Sequence, residues 1–478
     1  MFLPSEETKR INVGNFMMLK STLLLTAILC FVELRSELRA QEAVSATTGS
    51  ENAPALSSEP APTSSGSTTT SGVTSSSGSG PSVEAAPSGV GVFSRSPVQV
   101  QANISAGYDD NVNNVSGQKQ SSGYATGSLI LGYKFGDPRL QLTLTGIASG
   151  TYYYEHLSGQ DYDIDFKGAF DITYHASPRL TLGSTLLAEY LTEPSFQYAG
   201  GLNTRNGNYL YTSDKVFVSY AWTPRFSTKT FYTFEAFQYD NSTVGVFSDR
   251  ISHTFGNEFR FQLVPTTTLV AEYRYGLVNY QHDGEIVGAT FVLFPFPRIV
   301  PIRLELDSAT HYVLAGIDHS FNPRLNASLR AGAEFREYEA NENKTAPYVE
   351  GTVNYAAGKR TTLSWNTRYG LEEPDFLTAQ SRTTFRTGVQ TRFQIAPRIA
   401  STIDLYYVHD EYHALTTGPA IIGTAFSENT FDGGISLRYN ITPLFGVQVG
   451  YHYTDVSSDV AGREYSRNRF FGGASVTF

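Results

Sequence analysis

Two short stretches carry residue types that could hold a metal. "HDEYH" at 409–413 places two histidines four residues apart. A zinc-protease helix needs the glutamate directly after the first histidine, and here it is one place late, in text that alternates like a strand. "DYDID" at 161–165 offers three carboxylates but lacks the glycine at position six and the glutamate at position twelve of a calcium loop. A calcium at the rim on Asp161, Asp163 and Asp165 is the residual reading. No nucleophile elbow, phosphate loop or cofactor motif is visible, so the residues point away from an enzyme and name no cofactor.

The charges make more sense as one face of a strand. In "DYDIDFKGAFDITY", Tyr162, Ile164, Phe166, Phe170, Ile172 and Tyr174 alternate with Asp163, Asp165, Lys167 and Asp171. That period of two is a strand with one apolar and one polar face. "VQVQANISAGYDDN" at 98–111 does the same with Val, Ala and Ile against Gln, Asn and Ser.

These strands recur on a schedule. "DPRL" at 137, "SPRL" at 177, "TPRF" at 223, "VPTT" at 264, "NPRL" at 322, "APRI" at 396 and "TPLF" at 442 mark tight turns, and "AGKR" at 357 fills the missing slot. Proline fixes φ and cannot donate to a ladder, so each ends a strand. Two long alternating runs joined by a longer polar loop lie between successive turns. Eight turns and a free strand at each end give eighteen strands, starting near 98, 123, 140, 161, 180, 209, 226, 250, 268, 308, 325, 346, 361, 381, 399, 427, 444 and 465. A propeller also repeats near this length, but its blades hold four short strands and do not segregate turns by length. An even count of long strands, with short turns on one side and long loops on the other, predicts a closed antiparallel up-and-down transmembrane β-barrel over 96–478.

Composition agrees. Of 478 residues 13% are aromatic and only 17% charged, while the mean hydropathy is slightly negative. No apolar run is long enough for a membrane-spanning helix. Net charge is −10, without a dominant basic patch, which argues against nucleic acid as a partner. Residues 1–40 read as a signal peptide: Lys9, Arg10 and Lys20, then "STLLLTAILCFVEL", then a cleavage site after Ala40. Its removal takes away Cys30, the one cysteine. Residues 41–95, nearly all Ser, Thr, Gly, Ala and Pro, read as a disordered linker.

If apolar residues face lipid, the alternates line the interior. That places Asp163, Asp165, Asp171 and Glu189 as pore-lining acids. Arg330, Arg336, Arg368, Arg382, Arg386 and Arg392 become pore-lining bases on the far side, with Glu334 and Gln394 among them. Opposed charges would set a transverse field in an aqueous pore; alternatively, inward charges pair with neighbouring strands, as Arg330 could with Glu334 or Glu350. Inward Tyr153, Phe217, Tyr280 and Tyr406 fit a sugar-stacking track or plain packing. The longest loop, 282–307, holds "EIVGATFVLFPFPRIVPIRLEL" and either folds inward as a constriction or rises as a short β-hairpin.

With these hairpins, the "GYDDNV" at 107–112 and the repeated "PRL" turns, the chain resembles the putative β-barrel porin-2 family of Gram-negative bacteria. The resemblance implies the outer membrane as location, with its lipid and the barrel-insertion machinery as partners, and Phe478, which ends the outward set of the last strand, as the insertion signal. It leaves two readings: passive diffusion of small hydrophilic solutes, or a component of exopolysaccharide export or surface attachment that does not conduct freely.

Overall fold

The computed structural model describes residues 98–155, 161–196, 207–284, 286–292, 298–303, 305–339, 341–376, 379–417, 420–422 and 425–478. The expected signal peptide and linker lie outside the described residues. The first half of the barrel is β1 (Val98–Asp109), β2 (Ser122–Gly136), β3 (Leu140–Tyr153), β4 (Tyr162–Ser177), β5 (Leu180–Leu191), β6 (Tyr209–Ala221), β7 (Phe226–Tyr239), β8 (Arg250–Val264) and β9 (Thr267–Tyr280). A detached hairpin follows, β10 (Ile286–Val292) with β11 (Arg298–Arg303). The second half is β12 (Ser308–Asn322), β13 (Leu325–Tyr338), β14 (Lys344–Ala357), β15 (Thr361–Glu372), β16 (Ala379–Ala396), β17 (Ile399–Thr417), β19 (Phe426–Asn440), β20 (Phe445–Ser458) and β21 (Tyr465–Thr477). The three-residue β18 (Ala420–Ile422) only extends β17.

Each barrel strand pairs antiparallel with its neighbours, β9 passing over the hairpin to β12, and β21 pairs with β1 from Gln101↔Thr477 to Asp109↔Arg469. Eighteen strands therefore close on themselves, leaving no open edge for lipid to strip of hydrogen bonds. Phe478 finishes the seam: its amide donates to the Val100 carbonyl at 2.7 Å and its carbonyl accepts from the Val100 amide at 3.3 Å. The expected strand starts agree with the observed ones to within two residues.

The turns show why their sequence repeats. At five of the eight turns the residue before the proline folds its side-chain oxygen back onto the turn's amides. Asp137 accepts from Arg139 and Leu140, both at 2.7 Å, and Thr442 from Leu444 at 3.3 Å and Phe445 at 2.9 Å. Ser177, Thr223 and Asn322 do likewise. Proline presets φ while the side chain substitutes for a backbone acceptor, and a carbonyl in the turn accepts from the neighbouring hairpin, as Arg139 does from the His175 amide at 2.8 Å.

Alternation sorts the two faces as expected. On β4, Tyr162, Ile164 and Phe166 are exposed while Asp163 and Lys167 are buried. Outward aromatics gather in two belts, including Phe135, Tyr174, Trp222, Phe321 and Tyr355 near the turns and Tyr108, Tyr152, Phe335, Phe431 and Phe470 near the loops. At ~1.5–3 kcal/mol for each large side chain left in water, an exterior like this requires a lipid surround.

Candidate functional site

Near mid-strand, inward side chains of β8, β9, β12, β13 and β14 form a chain of ion pairs. Arg260 contacts Glu258 at 2.7 Å and Asp318 at 2.6 Å. Arg330 reaches the same Asp318 at 2.7 Å and Glu272 at 3.6 Å. Arg274 then joins Glu272 at 2.5 Å to Glu350 at 2.6 Å. Three carboxylates in this belt, Asp318, Glu272 and Glu258, each lie within 4.0 Å of two cations. Such sharing offsets the desolvation that an isolated pair would suffer, and it keeps long side chains flat against the wall.

The loop end is different: there the charges reach across the lumen. Arg467 on β21 contacts Asp109 at 2.5 Å and Glu193 at 2.9 Å, and Arg469 contacts Glu193 at 3.1 Å. Glu193 belongs to the connection after β5, five strands round the barrel from β21. Three residues later, the Phe196 carbonyl accepts a hydrogen bond from Arg386 on β16, nine strands from β5 and so diametrically opposite. Asp165 secures the base of this segment by accepting from the Thr192 amide at 2.9 Å. Thr192–Phe196 therefore folds into the lumen.

A second inward segment, Glu373–Phe376, follows β15. Glu373 accepts from Arg336 at 2.8 Å and from the Tyr280 hydroxyl at 2.7 Å. Asp375 meets Arg463 at 3.3 Å and Arg382 at 3.7 Å and accepts from Tyr412 at 2.5 Å. Burial pushes the Asp375 carboxyl up, but Arg463 and Arg382 outweigh it and hold it below the usual carboxylate range. Arg382 also contacts Glu372 at 3.4 Å and Asp410 at 3.3 Å. Apolar packing completes the cap. Tyr209, Phe237, Tyr239 and Val244 cluster beside the short helix α1 (Ser242–Ser248), and Leu415 of β17 meets Tyr280 of β9, six strands apart. Burial raises the carboxyls of Asp249 and Asp283, in the connections that flank β8 and β9 on this end.

The residues expected to line the pore are distributed as follows. Arg330 is in the mid-strand belt, and Arg336, Arg382 and Arg386 are in the cap. Arg368 is partly exposed, 4.0 Å from Glu372; Arg392 lies on the inward side of β16, toward the turns, half-buried. Opposite, Glu189 is fully buried and ion-paired with Lys167, Asp163 is buried, Asp165 holds the inward segment and Asp171 is half-buried on the same face. β4 does lie nine strands from β15. The basic side, however, is threaded with acids (Glu272, Glu350, Glu372, Asp410), so the inward arginines pair locally rather than forming a bare positive wall.

The inward aromatics lie flat. Phe217 covers Gly183 and Phe231 covers Gly256, where any Cβ would overlap the ring; Tyr406 covers Gly388 in the same way. Tyr153 packs with Tyr124 and Val112, and Tyr280 with Leu306 and Leu415. Phe217, Phe231 and Tyr406 thus stay against the wall, while the Tyr153 and Tyr280 hydroxyls bond to Glu193 and Glu373 of the inward segments. The 282–307 stretch contains the hairpin β10–β11, bonded to itself and separate from the barrel sheet, with Ile286 and Ile299 exposed. The constricting segments are the ones after β5 and β15. "HDEYH" is split between faces: His409 points outward, 2.8 Å from Asn429, while Asp410 and Tyr412 point inward. Among the described residues no group of three or more His, Cys, Asp and Glu could hold a metal ion.

Sequence reading missed Asp109, Glu193, Glu373, Asp375, Arg467 and Arg469. Alternation puts Arg467 and Arg469 on the inner face opposite Phe470, and "EEPDF" at 372–376 is conspicuously acidic for a loop. Nothing in the local text says which partner each would find, whether on the next strand, as for Asp109, or across the lumen, as for Glu193.

A family model described as putative beta-barrel porin 2 matches residues 83–478. No curated protein matches the chain. Among solved structures, OccK1 (OpdK) of Pseudomonas aeruginosa is similar at 11% identity and a TM-score of 0.39, over 80% of this chain and 99% of that one. OccAB4 of Acinetobacter baumannii is similar at 9% identity and 0.37, over 81% and 100%. The siderophore receptor PirA of Pseudomonas aeruginosa is similar at 7% and 0.36, over 80% of each. At these values the likenesses say nothing about cargo.

Proposed function

We propose, for a chain that belongs to the putative beta-barrel porin 2 family and is thereby a porin-like barrel of the outer membrane, that it passes small hydrophilic solutes passively through its charged lumen. One observation carries this. The inward face bears charge and hydrogen-bonding groups along the strands, while the outward face is apolar. Eighteen strands enclose more volume than side chains fill, and the inward rings are laid flat on glycines.

In this reading Arg330, Arg336, Arg368, Arg382, Arg386 and Arg392, with Asp163, Asp165, Asp171 and Glu189, border the route, and the cap narrows it. The lumen arginines tune selectivity as paired charges: neutralising one leaves its carboxylate partner uncompensated. The export or attachment reading is not favoured, because three of the four rings it would use for sugar stacking, Tyr153, Tyr280 and Tyr406, are buried. Export by residues 1–40 with cleavage after Ala40, a tethering role for 41–95, and recognition of Phe478 by insertion machinery belong to the same proposal. The exposed Phe478 ring at the seam, 65% accessible, supports the last of these.

The test is a planar bilayer under a salt gradient. The refolded barrel should give steady open steps, and Arg368→Gln with Arg386→Gln should move the reversal potential toward cations. A folded barrel that never conducts contradicts the reading.

A further inference from the structure

We propose that Lys215 and Lys229 form an oxyanion station on the lumen wall that seats a phosphate-type dianion of a passing solute; this rests on the reading of the barrel as a pore. Both lysines point inward, on β6 and β7. In the register of these strands Phe217 and Phe231 are directly opposed. Lys215 is two places toward the loops from Phe217, and Lys229 two places toward the turns from Phe231. Each lysine leans across to the ring on the other strand: Lys215 Nζ is 4.5 Å from the Phe231 centroid and Lys229 Nζ is 4.7 Å from that of Phe217. The two side chains thus cross, each ammonium resting against the ring carried by the other's strand.

The rings are fixed, and this fixes the lysines. Phe217 lies on Gly183 and Phe231 on Gly256, so each ring is pinned to the sheet and presents a face as a platform. A ring face attracts an ammonium but takes only one side of it, leaving N–H donors for something in the lumen.

What sets these two apart is the lack of a committed acid. Arg260, Arg274 and Arg330 are each closed off by two carboxylates. Lys215 has no carboxylate within 4.0 Å among the described residues, and it is half-buried rather than sealed. Lys229 has Glu258 at 4.0 Å, but Arg260 already engages that carboxylate at 2.7 Å. Two ammoniums held against apolar faces, short of counter-charge, suit a small ligand with two negative charges and several acceptor oxygens. A compact ammonium is a point-charge partner for phosphate where a guanidinium would be a planar one. A neutral sugar or a cation would leave this charge unbalanced.

The experiment uses the full barrel in detergent micelles, titrated calorimetrically with inorganic phosphate near neutral pH against a chloride background. Saturable binding is expected, weakened by about tenfold or more in Lys215→Gln and in Lys229→Gln, as for the loss of one charged hydrogen-bond donor. Lys134→Gln, near the turn end of β2, should bind like the parent. Retained heat-modifiable migration in gels shows that each variant is folded. In bilayers, phosphate should reduce the open-channel current of the parent at lower concentrations than in either variant. Absence of saturable binding, or lysine variants that bind like the parent, overturns the station. A barrel that binds phosphate yet never conducts overturns the pore reading and leaves the station standing; one that conducts without binding does the reverse.

Discussion

The two ends of the barrel hold their connections in opposite ways. At the turn end satisfaction is local: Thr442 or Asp137 caps its own turn, the Arg139 carbonyl and its equivalents accept from the strand next door, and the surroundings are exposed. At the loop end satisfaction is collective. Arg467 holds Asp109 of the first strand and Glu193 of an inward segment at once, and Asp375 answers to Arg382, Arg463 and Tyr412 together. Local closure leaves that mouth plain, whereas collective closure draws loops over the other. A barrel can thus place its selectivity at one end by the range over which its polar groups find partners.

The largest break in this contrast should come from Arg467→Ala. It leaves Asp109 and Glu193 to Arg469 alone, at 3.4 and 3.1 Å, and the cost approaches that of breaking a buried ion pair, about 3–5 kcal/mol. Unfolding of the refolded barrel in denaturant should show the loss, and limited proteolysis should open the connection after Thr192 first. Gly256→Val should come next. Its side chain would overlap the Phe231 ring, costing about 1–3 kcal/mol of overpacking and turning the ring into the passage, which smaller single-channel steps would report.

Acid separates two parts of the cap. Asp375 is held below its ordinary range, so its contribution is present above the unfolded value, about 3.9, and is lost as pH falls through the lower folded value. Asp249 and Asp283 are raised, so their burial opposes folding at neutral pH and that opposition fades on acidification. Hydrogen exchange across falling pH should therefore show the Glu373–Phe376 segment protected until below about pH 4 and the Asp249 and Asp283 regions gaining protection before that. The smallest effect belongs to the turn end. Thr442→Ala removes one local cap and should cost about 0.5–1 kcal/mol, with unchanged conductance.

The same contrast explains what the sequence disclosed. The turn end is written in four-residue words such as "DPRL" and "TPLF", and strand faces in a period of two, because both are local. Strand count, boundaries and inward parity were therefore readable, down to Arg382 and Glu189 pointing in. The cap depends on meetings between residues hundreds of positions apart, such as Asp109 with Arg467. The inward segments look like ordinary polar loops, and the apolar, proline-rich 282–307 drew attention that the short "EEPDF" did not. Flat rings on glycines were hidden for the same reason: Phe217 needs Gly183, a strand away, and no reading of one strand supplies it.

The most direct test of the account is the single-channel conductance of the full barrel beside that of Arg467→Ala, each verified as folded. If the loop-end cap sets the passage, both open and the variant carries the larger current. Equal conductance would contradict that assignment and move the limiting element to the mid-strand belt or the turn end.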